Sequence, residues 1–321
     1  MINVEKSELA FGAPGQGWQA PGMDEPLRKS EAAKGVFAQA KQIFGFDVQA
    51  LCANGEVEGK TLKLHSQAAM GTVMIAAIED LEARDIHEAV DFSISLGMFG
   101  ALRRAEVLDS HNVLRAIKVR EEMTLAQQNG AMGLVIGLDK VRFAQEFAHD
   151  TRASIAVQYS ASDFAISGSK EEITLILERI AERKKELGRV KTFDLPIPNS
   201  FHHKMLHEVA QQFSAFLAAE VEFHQPVRPI VLNTGLTDNQ GEYVQVVTPD
   251  TIYAIDILRD ELVVQLTQPA RIDLVRRELE RRNIMRVIEP SGGALGKVFR
   301  RLGDSFEVIP TWEYGKLVDV G

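Results

Sequence analysis

Apolar residues recur at helical spacing over residues 67–84, 112–128 and 203–221. Short apolar runs with strand character lie between them at 89–94 and 229–233. The helical period returns at 250–265 and 270–283 and is followed by a strand-like run at 285–288. Strands alternating with helices predict an α/β protein with a largely parallel sheet.

The middle of the chain has a different rhythm. A strand is predicted at 131–138, a helix at 139–149, and two strands at 154–159 and 163–167 joined by Ser160, Ala161 and Ser162. A helix at 170–187 and a strand at 190–195 complete a βαββαβ order, that of the split ferredoxin-like unit. Gly130 precedes this run, and Pro196 and Pro198 follow it. The pattern predicts a ferredoxin-like small domain at 129–197, inserted into a large α/β hydrolase-like domain made of 1–128 and 198–321.

Composition narrows the function classes. The 321 residues carry 36 Lys and Arg against 45 Asp and Glu, a formal charge of −9. That balance argues against general nucleic-acid binding, which needs a basic face, but leaves room for local basic clusters. No apolar run approaches the ~18–20 residues of a membrane span. Residues 1–9, with Glu5, Lys6 and Glu8, lack the apolar centre of a signal peptide. The single cysteine, Cys52, precludes an internal disulfide and a cysteine-based metal cluster. A reducing, cytoplasmic setting is the expectation.

Four segments carry candidate chemistry. In Asp91–Met98 a strand is expected to end and a helix to begin, which exposes Ser95 at a helix N-terminus where backbone N–H groups favour developing negative charge. Ser93 to Gly97 matches the elbow pattern G-x-S-x-G except for its first glycine, and taken alone it reads more simply as a serine N-cap. Pro14-Gly15-Gln16-Gly17-Trp18-Gln19 lets backbone approach a ligand, so an N–H there and that of Leu96 are candidate oxyanion donors; a simple turn is the alternative. His202 and His203 stand at a loop-to-helix start, and a serine nucleophile needs such a base near neutral pH. His203 and His207 have i, i+4 spacing, but no third ligand is evident and no zinc site is expected. Arg120 is placed to clamp a carboxylate with two parallel hydrogen bonds, or is a solvated face charge.

Together these segments resemble the malonyl-CoA:acyl-carrier-protein transacylases and polyketide synthase acyltransferases, over nearly the whole chain. Pro14–Gln19 resembles the family's P-G-Q-G-x-Q. Gln67 matches the glutamine of its T-Q-P, and Ser95-Leu96-Gly97 the centre of G-H-S-L-G-E. Arg120 falls on the arginine of the M-R-G-like segment. Residues 129–138 resemble G-A-M-A-A-I-I-G-L, Ser200-Phe201-His202 resembles A-F-H, and residues 289–293 resemble E-x-G-P-G.

The resemblance implies Ser95 as nucleophile, His202 as base, backbone N–H groups of Gln16 and Leu96 as the oxyanion hole, and Arg120 pairing with the malonyl carboxylate, with Gln67 and Phe201 also at the substrate. Phe201 implies malonyl rather than methylmalonyl, because a large ring crowds a C2 substituent. The implied partners are malonyl-CoA and an acyl carrier protein whose phosphopantetheine supplies the thiol. No cofactor or metal of the chain's own is implied, and a monomer is expected.

Departures keep other readings open. Ser93, Ile94 and Met98 replace glycine, histidine and glutamate of the elbow, and a Cβ at 93 is expected to strain it. Asp163 stands where the family's N-S-P-x-Q ends, either charging the cleft or facing water. Ser291 and Gly292 replace glycine and proline in the late loop, near which a carbonyl is expected to orient the histidine. An acyl hydrolase using the same Ser95 and His202, or a non-catalytic carrier-binding homologue, are the alternatives. An acidic carrier needs a basic face, and Arg183, Lys184, Lys185, Arg189 and Lys191 are the chosen cluster over runs at 276–286 and 297–301.

Overall fold

The computed structural model describes residues 9–84, 90–127, 129–291, 293–302 and 306–313. Five parallel strands form one side of the sheet, in the order Glu307–Pro310, Arg286–Glu289, Leu9–Ala13, Val90–Ser93 and Ile230–Asp238. Leu9–Ala13 and Val90–Ser93 are buried at every position, as strands covered on both faces must be. The covering helices include Glu31–Phe44, Ser110–Leu125 and Ser66–Glu82. Ser66–Glu82 is buried nearly all round, which accounts for its weak amphipathic pattern in the sequence.

The strands Ser154–Gln158, Asp163–Ser169, Gly130–Ile136 and Lys191–Asp194 lie side by side in that order, each antiparallel to its neighbour. Helices Lys140–Glu146 and Lys170–Glu182 bury a separate core against one face, with Val135, Phe143, Phe164, Ile166, Ile173 and Ile176. A capping box between Ser169 and Glu172 starts the second helix. The opposite face carries the row of cross-strand partners Val157, Ala165, Leu134 and Phe193, with the pairs Met132–Ser167 and Ile136–Asp163 to either side. The two-residue strand Ala270–Arg271 joins the two parts of the sheet. It pairs parallel to Val157 and Gln158 and antiparallel to Thr234.

Several boundaries differ from the sequence pattern for identifiable reasons. The helix expected from 203 begins at His207, after a single 3-10 turn at Lys204–Leu206 that His203 caps through Nδ1 to the Met205 N–H. His203 and His207 therefore do not share a helix face. The helix expected at 250–265 is Ala254–Val264, preceded by Tyr253 with φ at +61°. Residues 270–271 join the sheet instead of the helix Ile272–Arg281. The helix at 170–187 breaks at Arg183. The hairpin strand Gly241–Val247 and the strand Leu9–Ala13 are not marked by the sequence pattern, the first opening on two exposed non-apolar residues, Gly241 and Glu242, and the second only five residues long. Expectations for residues 1–8, Ala89, Gln128 and Gly292 lie outside the described residues. Among the described residues no helix is long and apolar enough to cross a membrane.

Candidate active site

Ser95 follows the end of strand Val90–Ser93 and opens the 3-10 turn Ser95–Gly97, which leads into the helix Met98–Arg104. Its φ is +52°, the left-handed conformation that side chains other than glycine rarely adopt. The turn closes only because Gly97 has no side chain. A Cβ there would lie 2.0 Å from the Ala13 carbonyl oxygen. Ser93, at the first glycine of the elbow pattern, lies in the strand itself. The expected strain at 93 is therefore absent, and the unusual backbone falls on Ser95.

His202 also has a left-handed backbone, with φ at +59°. Its Nε2 lies 2.8 Å from the Ser95 hydroxyl, and its Nδ1 lies 3.0 Å from the Gln268 carbonyl oxygen. A carbonyl only accepts, so Nδ1 carries the proton, and Nε2 presents its lone pair to the Ser95 O–H. Burial holds the imidazole pKa down at about 4, with the Gln268 carbonyl opposing the shift and the Arg120 charge adding to it. The imidazole is neutral at neutral pH, as a base must be.

The late loop does not orient this histidine. Glu289 caps the helix Ala294–Leu302 instead, its Oε2 accepting from the Leu295 N–H at 2.7 Å and the Ser291 hydroxyl at 2.8 Å. The orienting carbonyl belongs to Gln268, and no side-chain motif marks a backbone acceptor in sequence.

Gln16 lies in the loop after Leu9–Ala13 and donates from Nε2 to the Ser66 hydroxyl at 2.8 Å. This loop runs beside the serine turn, since a Cβ on Gly15 would come within 3.0 Å of the Ile94 carbonyl oxygen. Gln16, Ser95, Phe201 and His202 line one small cavity of about 40 Å³, with Met132, Val157, Ala165 and Ile197 as apolar walls. Leu96 follows Ser95 in the turn with its side chain in the core. A larger cavity of about 390 Å³ adjoins at Gln16 and Ile94 and extends to Tyr159, Asp163 and Lys297. Asp163 is fixed on that wall by accepting from the Gly137 N–H at 2.9 Å.

Arg120 is completely buried. Its Nη1 donates to Gln67 Oε1, and its guanidinium lies 4.9 Å from the centre of the Phe201 ring. Gln67 is held in turn by the Thr124 hydroxyl at 2.9 Å. Among the described residues Nε and Nη2 of Arg120 have no hydrogen-bond partner, and burial lowers its pKa to about 9 against the nearby charge of Glu121. Arg120 and Gln67 do not line the small cavity; the Phe201 ring does. Sequence reasoning did not single out Glu121. Its carboxylate accepts from the Ala68 N–H at 3.0 Å and meets His65 Nδ1 at 3.1 Å.

Lys184, Lys185, Arg189 and Lys191 are exposed. Arg183 differs, because its guanidinium is engaged by Glu146 and Glu186 at 2.8 and 2.6 Å, which raises its pKa. Lys191 pairs across the sheet with Ile136, and Ile136 with Asp163, so two strand spacings of ~5 Å separate it from the cavity wall. Among the described residues no group of His, Cys, Asp or Glu is placed to hold a metal ion.

A hydroxyl hydrogen-bonded to a neutral imidazole, at the end of a parallel strand in an α/β sheet, is the geometry of covalent acyl-transfer sites. Residues 10–268 match the family model described as the acyl transferase domain, and the chain belongs to that family. A malonyl CoA-acyl carrier protein transacylase of Bacillus subtilis is 25% identical over 309 residues, covering 92% of each chain. One from Escherichia coli K12 is 27% identical over 274 residues, 83% of this chain and 82% of the relative. The crystal structure of a malonyl-CoA:acyl carrier protein transacylase from Xanthomonas oryzae, 26% identical, matches with a TM-score of 0.82 over 98% of each chain.

Proposed function

We propose that this protein moves a malonyl group from malonyl-CoA to the phosphopantetheine thiol of an acyl carrier protein, in fatty-acid or polyketide synthesis. The observation that carries this reading is Arg120, a fully buried cation with two unpaired guanidinium nitrogens beside the Phe201–His202 segment. A buried charge is costly unless an anion completes it, and the free carboxylate of a malonyl group is such an anion. Plain acyl chains supply none, so Arg120 weighs against a general acyl hydrolase.

In this mechanism the Ser95 oxygen attacks the thioester carbonyl carbon while His202 Nε2 takes its proton. Backbone N–H groups of Gln16 and Leu96 hold the oxyanion. The tetrahedral intermediate expels the CoA thiolate, which takes the proton from His202 and leaves malonyl-Ser95. The carrier thiol then gives its proton to His202 and attacks the ester, and the proton returns to Ser95 as the acyl group departs. Gln67 orients Arg120, and Phe201 limits the space beside C2. Each proton cycles between Ser95, His202 and a thiol, so the reaction needs no metal or cofactor from this chain.

The finer organisation belongs to the same proposal. Residues 129–197 act as a small domain against a body of 1–128 and 198–321, in a cytoplasmic monomer. The carrier docks on Lys184, Lys185, Arg189 and Lys191, with Arg183 contributing less because Glu146 and Glu186 occupy it.

Intact-mass measurement after incubation with malonyl-CoA, acetyl-CoA or methylmalonyl-CoA tests the reading. A malonyl adduct on Ser95 that moves to carrier protein is expected. An adduct lost to water without transfer would establish hydrolysis, and a folded protein that takes no adduct from any donor would establish a binding role.

A further inference from the structure

Behind the serine turn lies a buried polar chain that the transfer mechanism does not use. Ser93 is the last residue of the strand before Ser95, and Met98 is the first residue of the helix after it. The Ser93 hydroxyl donates to Met98 Sδ across the turn at 3.5 Å and accepts from Asn233 Nδ2 at 3.2 Å. Asn233 sits on the neighbouring strand Ile230–Asp238, and its backbone N–H and that of Thr234 donate to Glu261 Oε1 at 3.1 and 2.9 Å. Ser93, Met98 and Asn233 have no exposed surface, and Glu261 is buried with its carboxyl pKa raised by desolvation.

This chain reaches both halves of the catalytic pair. Glu261 belongs to the helix Ala254–Val264. Just beyond that helix the carbonyl of Gln268 meets the His202 imidazole. One end of the helix and its following turn hold the base, while Glu261 holds the strand segment whose side chain grips the nucleophile turn. A core serving only packing would place apolar groups at 93 and 233 beside the apolar Met98. Here the Asn233 Oδ1 is buried without a hydrogen-bond partner among the described residues, a cost that such a core would not carry.

We propose that Asn233, Ser93 and Met98 work as one positioning unit. It pins the strand end and the helix start on either side of Ser95, and so keeps the left-handed Ser95 at hydrogen-bond distance from His202. Ser93 and Met98, the two departures from the elbow pattern that face each other, are then one paired feature. The inference rests on Ser95 being the nucleophile, and its test is chosen to separate the two ideas. Asn233, Ser93 and Met98 are positioning residues, because they act through the turn and touch no substrate.

The test is a double-mutant cycle on Ser93→Ala, Met98→Leu and Asn233→Ala, with the Ser93→Ala/Met98→Leu and Ser93→Ala/Asn233→Ala pairs. Met98→Leu nearly conserves volume, so it reports on the contact even where another variant folds poorly. Two rates are measured: acylation of Ser95 by malonyl-CoA and phosphonylation of Ser95 by a fluorophosphonate. In the second, the Ser95 oxygen attacks phosphorus, fluoride leaves and His202 takes the hydroxyl proton, with no acyl donor needed, so it reads the turn even if malonyl-CoA proves the wrong substrate. Expected are a tenfold or greater loss in both rates for each single variant and a KM for malonyl-CoA within twofold of wild type. Each pair is expected to be no slower than its worse single member. Multiplicative losses in the pairs, or wild-type rates with only a lowered melting temperature, would overturn the proposal.

Discussion

His202 Nε2 sits 2.8 Å from the Ser95 hydroxyl, and both residues hold a left-handed backbone to meet there. Such conformations cost of order 1–3 kcal/mol each and persist only where the surroundings enforce them. The surroundings are on hand: Gly97 packs against Ala13 on one side, and the Gln268 carbonyl holds the imidazole on the other. Within the site, this strain falls on the two residues that react.

Replacing Ser95 with Ala is expected to abolish the covalent adduct, and His202→Ala to slow acylation by ~10⁴-fold or more, since the pair acts as a unit. The acylation rate should stay flat down to about pH 5 and fall only near the imidazole pKa of about 4. A stopped-flow pH profile with the acid limb near 6.5 would instead mean that the imidazole is solvated in the working enzyme.

The same imidazole sets a stability trend. Its folded pKa of about 4 lies below the 6.5 of an unfolded histidine, so the unfolded chain binds the extra proton between those values. His202 therefore favours the fold above about pH 6.5, and this contribution is lost as pH falls from 6.5 to about 4. A shift of this size is worth about 3 kcal/mol. Melting temperatures of wild type and His202→Gln should diverge over that interval, with the variant losing less stability on acidification.

Arg120→Ala is expected to lower kcat/KM for malonyl-CoA by ~10²-fold, the value of a desolvated charge pair, and to leave acetyl-CoA little affected or improved. Arg120→Lys should rescue poorly. A point charge cannot both donate to Gln67 Oε1 and present two coplanar N–H groups to a carboxylate. Competition assays with paired donors read this ratio directly.

The α/β alternation and the βαββαβ order were legible because each leaves a local mark, and Ser95 and His202 each stood out as separate local candidates, whereas their pairing across 107 residues came only from the family resemblance. The Gln268 carbonyl was not, because a backbone acceptor has no residue-type signature. The Asn233 link to Ser93 spans 140 residues and depends on strands being neighbours, which no local pattern encodes. His203 read as helical from its apolar neighbours. The left-handed His202 just before it delays the helix to His207 and turns His203 into a cap.

Gly97→Ala tests the close approach beneath the nucleophile. The new Cβ would meet the Ala13 carbonyl oxygen at 2.0 Å and its carbon at 2.5 Å, both backbone atoms that no rotamer change relieves. A loss of about 3 kcal/mol is expected. Thermal denaturation measures it, and Ser95 acylation in the surviving folded fraction should fall as well because the turn must open. Gly17→Ala, where a Cβ meets nothing within 4 Å but φ is +116°, separates conformational strain from collision.

Charge reversal at Lys184 and Lys185 tests the carrier face without touching the chemistry. Both side chains are exposed, on the short helix Lys184–Leu187 that leads to the edge strand Lys191–Asp194 of the sheet. Neither forms a salt bridge among the described residues, so their charge is free to meet an acidic partner. Arg183 is already neutralised by Glu146 and Glu186, and its reversal would disturb that network instead. The Lys184→Glu/Lys185→Glu variant should raise the carrier KM by about tenfold at low salt, with the effect shrinking as ionic strength screens the surface. Acylation of Ser95 by malonyl-CoA should keep its wild-type rate. An unchanged carrier KM would move the docking face elsewhere, and the basic run at 276–286 would be the next surface to reverse.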